Sequence, residues 1–184
     1  MYKCIPDKIL RNKGYSLEAV KPQHIEMIRQ WRNQQINLLR QSEIITKNQQ
    51  INYYNDKIWP ELKLDKPRNI LLSFKLFDEL IGYGGLVHIS WNHLNAEISF
   101  LCDLLIAKDK ISYSKHFNNF LYMIKQLAFG TLNLYRLSTE TYTYREEQIK
   151  ILENFGMKKE GVLRNSYLKN NVFCDSVIHS LLNN

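Results

Sequence analysis

A chain of 184 residues, 45% of them hydrophobic, is long enough for one buried core, so a single domain over residues 1–184 is expected. The net charge of +7 favours anionic company, but the lysines and arginines are scattered, which argues against nucleic acid as the main partner. No apolar run approaches the ~18 residues of a membrane span, and MYKCIPDKIL has no apolar signal core. Cys4, Cys102 and Cys174 form no CxxC pair, so the expectation is a cytoplasmic protein with reduced thiols and no membrane partner.

In chain order, YSLEAV (15–20) reads as a first strand, and Lys21-Pro22 turns it into a helix with Ile25, Ile28 and Trp31 on one face. The capping-box pattern Thr46-x-x-Gln49 opens a second helix, which carries Ile51, Tyr54 and Ile58 and stops before Pro60. NILLSFKLF (69–77), LIGYGGLVHIS (80–90) and NAEISFLCD (95–103) form an antiparallel meander. A long helix from Lys115 to Phe129 follows, with Phe117, Phe120, Leu121, Ile124, Leu127 and Ala128 as its core stripe and Gly130 as its stop. LYRLSTETY (134–142) is a strand reached by a crossover. Thr143-x-x-Glu146 opens a helix through Ile149 and Leu152 that ends at Gly156, and GVLRNSYL and NVFCDSVIHSLL flank Lys169-Asn170-Asn171 as a closing hairpin. Together these predict an α/β fold, a mixed, mostly antiparallel sheet of about seven strands with helices on both faces.

Gly82, Gly84 and Gly85 sit inside a strand, so they read as a bulge or a close backbone approach rather than a nucleotide loop. The five histidines show no HxxxH or HxH spacing, and no metal is expected. His88 is a candidate substrate contact or alternative base beside its reading as a structural histidine.

The element order, AEISFL on the fourth strand and the ending LNLYRLSTETYTYREEQIKILENFGMKKEGVLR resemble the GNAT superfamily of acyl-coenzyme A N-acyltransferases. Trp31-Arg32-Asn33 and the same ending are most similar to its ribosomal-protein alanine and amino-sugar nucleotide acetyltransferase branches. The resemblance implies a GNAT fold splayed between strands 4 and 5, acetyl-CoA as co-substrate, and a primary amine as acceptor. It places the thioester and pantetheine along Ser99, Phe100, Leu101 and Cys102, up to Asp103, against a wall at 137–141.

Glu97 in Ala96-Glu97-Ile98 resembles the carboxylate that deprotonates the amine. Strand alternation puts it on one face with Ser99 and Leu101, and apolar neighbours would raise its pKa toward the range of a general base. The alternative is a surface carboxylate or an ion-pair partner. The tyrosine that many relatives place four residues before the terminal glycine is Leu152 here, which leaves water, Tyr142 or Tyr144 to protonate the thiolate, Tyr144 being the candidate catalytic residue.

The family's glycine-rich pyrophosphate loop corresponds to AKDKISYSKHF, which has no glycine. Backbone amides of Ile111 to Lys115, with the side chains of Lys110, Ser112, Ser114 and Lys115 and the adjoining Tyr113, are the candidate phosphate contacts. Arg145 meets a coenzyme phosphate or serves as a solvated helix-end cation. On the acceptor side the candidates are Trp31, Arg32, Asn33 and His88. Arg32, Arg40 and Lys47 suit an anionic acceptor such as an amino-sugar nucleotide, with a protein N-terminus as the alternative. A homodimer is the expected assembly. The rival classes are a non-catalytic GNAT-like binding domain and a basic RNA-associated protein, the latter marked by a steep salt dependence.

Overall fold

The structure, a computed structural model, describes residues 1–6, 9–169 and 171–184. Eight strands form one sheet in the order β1-β2-β3-β4-β5-β6-β8-β7, with β1 at Leu10–Asn12, β2 at Tyr15–Ala19, β3 at Ile70–Leu76, β4 at Glu79–Ser90, β5 at Asn95–Cys102, β6 at Arg136–Tyr142, β7 at Lys158–Lys169 and β8 at Val172–Leu182. The strand beyond the expected set is β1, folded onto β2 by the two-residue turn Lys13-Gly14, both at positive φ (46° and 84°). Among the described residues only β5 and β6 pair in parallel, as the helical crossover between them requires. The turn residue Asn170 of the expected closing hairpin lies outside the described residues.

Helices cover both faces because the strands alternate. In β3, Ile70, Leu72 and Phe74 join one apolar cluster while Leu71 joins the other. The first cluster packs against α4 (Lys110–Lys125) and α5 (Glu146–Asn154), through Phe117, Phe120, Leu121, Ile124 and Leu152. The second holds α1 (Ile25–Gln34), through Ile25, Ile28 and Trp31, together with Tyr54 and Ile58 from the end of α2 (Lys47–Tyr53) and the turn after it.

The expected α2 capping box is present: the Gln49 amide donates to Thr46 Oγ1 (3.3 Å), and the Thr46 amide donates to Gln49 Oε1 (2.8 Å). Ile51, expected on the buried face, is exposed; Gln50 takes that place and donates to the Ile25 carbonyl. The Thr143 capping box does not form. Thr143 Oγ1 donates to the Asp175 carbonyl on β8, and α5 starts two residues later than that cap would give, at Glu146, with Arg145 at its N-cap and no side-chain cap. At the far end of the long helix the chain runs through Gly130 in a π-type turn, and Asn133 (φ 52°) adopts the left-handed conformation instead.

The largest departure is the expected loop before the long helix. It is helical: α3 occupies Leu104–Lys108, and α4 begins at Lys110 rather than Lys115. Asp103 and Asp109 are the N-caps. Asp103 Oδ1 accepts from the Leu105 amide (2.7 Å) and Asp109 Oδ2 from the Ser112 amide (3.0 Å), which satisfies the donors that a phosphate would otherwise meet.

Candidate active site

β5 and β6 pair only through Asn95↔Arg136, Ala96↔Leu137 and Glu97↔Ser138. Beyond that point they diverge, and the β6-facing edge of residues 98–102 has no strand partner. An unpaired strand edge offers a row of backbone donors and acceptors to any extended amide-bearing ligand. Glu97 is the last residue of β5 paired with β6, so it stands at the apex of the gap.

Two cavities meet in this gap. One, about 710 Å³, opens on the α1/α2 side and is lined by Arg32, Tyr83, His88, Glu97, Ser99, Glu140, Tyr142 and Tyr167 among others. The other, about 580 Å³, lies between the end of β5 and helices α4 and α5, with Leu101, Cys102, Lys110, Tyr113, Ser114, Tyr144 and Lys150 in its wall. Phe100, Arg145 and Gln148 belong to both walls. Two reactants entering from opposite faces of the sheet would therefore meet beside Phe100, Arg145 and Gln148.

Alternation along β5 places Glu97, Ser99 and Leu101 toward the α1/α2 face, and Ala96, Ile98 and Phe100 toward α4. The apolar surroundings expected for Glu97 are not there. Oε1 accepts from Arg40 Nη2 (3.0 Å), and Oε2 lies 3.2 Å from His88 Nδ1. His88 reaches it because β4 shifts register between Val87 and Ser90, with His88 at φ 53° inside the irregularity. Arg40 Nη2 also donates to Glu140 Oε2 across the gap (2.8 Å), and Glu140 Oε1 accepts from Ser176 Oγ (2.6 Å). Arg40 thus ties the two diverging strands together.

The other expected site residues divide. Arg32 and His88 line the acceptor-side cavity, but Arg32 is already bonded to Tyr83 Oη (2.7 Å) and Gln41 Oε1 (3.2 Å). Trp31 and Asn33 are scaffold rather than wall. Trp31 is buried and its Nε1 donates to Asp103 Oδ2 (2.9 Å), while Asn33 holds the α1–α2 connection through the Ile45 amide and carbonyl. Trp31→Phe keeps the apolar body and leaves the Asp103 oxygen unpaired. It is expected to cost about 1–3 kcal/mol in urea denaturation with the KM for the acceptor unchanged, whereas a substrate contact would raise KM.

On the donor side, Leu101, Cys102, Lys110, Tyr113, Ser114 and Arg145 line the groove. Ile111, Ser112 and Lys115 do not, because the helix turns them away; Ile111 is 81% exposed. Hydrogen bonds from Ser112 hold the Asp109 carboxyl below the usual range, so a carboxylate sits at the α4 N-terminus where an amide cradle was expected. The positive charge of this groove comes instead from the side chains of Lys108, Lys110, Lys150 and Arg145. Lys110 is paired with Glu147 at 3.2 Å.

Tyr144 Oη donates to the Asn37 carbonyl (2.8 Å) and its ring stacks on Tyr142. Burial raises its hydroxyl, and pushes that of Tyr113, beside Arg145, up to about 12. Leu152 is fully buried in the core. Arg40, Glu140 and Tyr167, which complete the acceptor-side wall, come from three separate parts of the chain. Sequence had offered only Arg40, and as a cation for an anionic acceptor. Among the described residues no three His, Cys, Asp or Glu gather as a metal site, and no helix is long and apolar enough to cross a membrane.

An α/β sheet splayed between a carboxylate-bearing strand and its parallel neighbour, with a cavity on each side of the gap, defines an acyl-coenzyme A-dependent N-acetyltransferase. The family model of the acetyltransferase (GNAT) domain matches residues 17–178, and the chain belongs to that family. No curated protein matches its sequence. Among solved structures, it is similar to spermidine N-acetyltransferase from Vibrio cholerae in complex with CoA and spermine (TM-score 0.79, 18% identity, covering 93% of this chain and 96% of that one). The dodecameric form of the Vibrio cholerae enzyme in an intermediate state gives a TM-score of 0.76 at 17% identity, over 93% of this chain and 95% of that one. At such identities the likeness is one of fold.

Proposed function

We propose that the protein transfers an acetyl group directly from acetyl-CoA to the primary amine of a small molecule, with Glu97 as the base. The observation that carries this reading is the position of Glu97 at the apex of the splay, in the wall of the acceptor-side cavity, which adjoins the donor-side cavity at Leu38, Phe100, Arg145 and Gln148. Glu97 takes one proton from the acceptor's ammonium. The freed lone pair forms the C–N bond at the thioester carbonyl, the C–S bond breaks, and the electron pair leaves on sulfur. The second nitrogen proton ends on the thiolate, and the first passes from Glu97 to solvent, with His88 (58% exposed) between them. Tyr113 acts as a hydrogen-bond donor to the thiolate rather than as a full acid, whereas the one hydroxyl proton of Tyr144 is already given to the Asn37 carbonyl. Phenols held above their ordinary pKa would give up a proton uphill to a thiolate whose acid is near 8.5.

The groove fits acetyl-CoA in two different ways. The open edge of β5 suits the amides of the pantetheine arm, while Lys108, Lys110, Lys150 and Arg145 meet the phosphates through side-chain charge rather than backbone amides. Calorimetric titration with acetyl-CoA, with adenosine 3′,5′-bisphosphate beside it, is expected to give micromolar binding that needs the acetyl-pantetheine arm and weakens steeply with salt. Absence of binding at millimolar ligand would leave the non-catalytic domain as the better account.

An amino-sugar nucleotide was expected to use Arg32, Arg40 and Lys47. Arg32 and Arg40 are each paired within the protein, and Lys47 is not in the cavity wall. Glu43, Glu97, Glu140 and the tyrosines of the acceptor side favour a cationic amine instead. An acceptor screen with polyamines, amino-sugar nucleotides and N-terminal peptides separates the classes. Free Cys4, Cys102 and Cys174 suit the proposed reducing cytoplasm. The exposed Leu168, Val172 and Phe173 at the β7–β8 end of the sheet support self-association as a homodimer.

A further inference from the structure

The connection between α1 and α2 crosses the mouth of the acceptor-side cavity as a strap. Its carbonyls are held from the opposite wall: Lys169 Nζ donates to Ile36 (2.6 Å) and Leu39 (2.7 Å), and Tyr144 Oη donates to Asn37 (2.8 Å). Asn33 fixes its far end through Ile45 (2.9 Å). The strap is therefore anchored without any help from the side chain of Arg40, which is free to serve another purpose.

That side chain reaches inward. Arg40 Nη2 lies between Glu97 Oε1 (3.0 Å) and Glu140 Oε2 (2.8 Å), with the guanidinium carbon 5.5 Å from the centre of the Tyr167 ring. Two carboxylates facing each other across a gap repel unless a cation separates them. In this arrangement each oxygen of Glu97 already has a partner, Arg40 on Oε1 and His88 on Oε2. A cation bound between Glu97 and Glu140 has to take the place that Arg40 holds.

We propose that Arg40 is a specificity-determining residue whose guanidinium fills the position of the acceptor's ammonium, so that an acceptor binds by exchanging cations with it. The inference rests on the acetyl-transfer reading above. An acceptor with its own positive charge replaces Arg40 between Glu97 and Glu140 and keeps both carboxylates compensated. A neutral or anionic acceptor leaves the pair uncompensated once Arg40 withdraws. The ligand class is an organic ammonium, and the ring of Tyr167 favours it as it favours the guanidinium. Arg40 is 40% exposed at its side chain, so it can swing to solvent without losing a buried packing role.

The test is calorimetry with 1,4-diaminobutane on the wild type, Arg40→Gln and Arg40→Lys, without acetyl donor and at low and high salt. Arg40→Gln is expected to bind the diamine about tenfold tighter or more, Arg40→Lys to return toward wild type, and the difference to shrink with salt. A purely structural role predicts a loss of affinity, never a gain. Equal or weaker binding by Arg40→Gln at an unchanged melting temperature overturns the proposal. If Arg40→Gln does not fold, Glu140→Gln decides: the proposal requires weaker diamine binding there, and unchanged or tighter binding refutes it. Turnover assays keep the two readings apart. A wild type that acetylates neutral or anionic amines and no diamine sinks the exchange but leaves acetyl transfer standing. Tighter diamine binding by Arg40→Gln in a protein that acetylates no amine does the reverse.

Discussion

Glu97→Gln is expected to lower kcat/KM by about 10²- to 10⁴-fold, the usual contribution of a positioned general base, with acetyl-CoA affinity unchanged. Glutamine keeps the shape at the end of β5 and can still accept from Arg40, so the fold and the donor groove are preserved. What it cannot do is take a proton from an ammonium. The deficit should be greatest near pH 6, where an alkylamine with a pKa of about 10.4 is almost wholly protonated. It should narrow toward pH 10 as the free amine becomes common in solution and needs no base. A pH–rate profile for the variant and the wild type measures this directly. Full turnover by the variant across that range would remove Glu97 from the chemistry and leave solvent or His88 to accept the proton.

The side of the site that sequence made legible is the one built from local pattern. Alternation in NAEISFLC fixed which residues share the face of Glu97, and the helix-then-strand order required a parallel partner for that strand. The other wall was not legible. Arg40 meets Glu97 and Glu140 across separations of 57 and 100 residues, and nothing in the local sequence of either partner announces the contact.

The donor loop failed for a different reason. Asp103 and Asp109 each carry an N-cap signal, Asp109-x-x-Ser112 openly so. The local N-cap chemistry of these aspartates, not the likeness to a glycine-rich loop, sets the backbone here. Thr143 shows the opposite case: its capping pattern is sound by local rules, but the Asp175 carbonyl of β8 takes its hydroxyl. The Lys13-Gly14 turn was readable as a hairpin signal, and β1 was missed because three residues carry too little periodicity to count as a strand.

Gly85→Ala is expected to destabilise the protein by roughly 3–5 kcal/mol, a large part of the 5–15 kcal/mol available to most domains. Gly85 sits at φ 148°, and a Cβ there would lie 1.9 Å from the Ile70 carbonyl oxygen. That oxygen is main chain of β3, paired at this point with Leu86 of β4, so relief would need a shift of the strand backbone itself. The adjacent Gly84 is as tightly placed, with its missing Cβ 2.1 Å from the Ser99 carbonyl of β5. Gly84 lets β4 lie close against β5, and Gly85 lets it lie close against β3. The strand glycines therefore serve backbone approach, not phosphate. Gly130→Ala is the control, because no atom lies within 4 Å of the added carbon. It should be neutral or stabilising by a few tenths of a kcal/mol up to about 1. Urea denaturation of both variants reads the contrast. A Gly85→Ala protein as stable as the wild type would mean that β3 and β4 pair in a different register, which would also displace the irregularity that turns His88 toward Glu97.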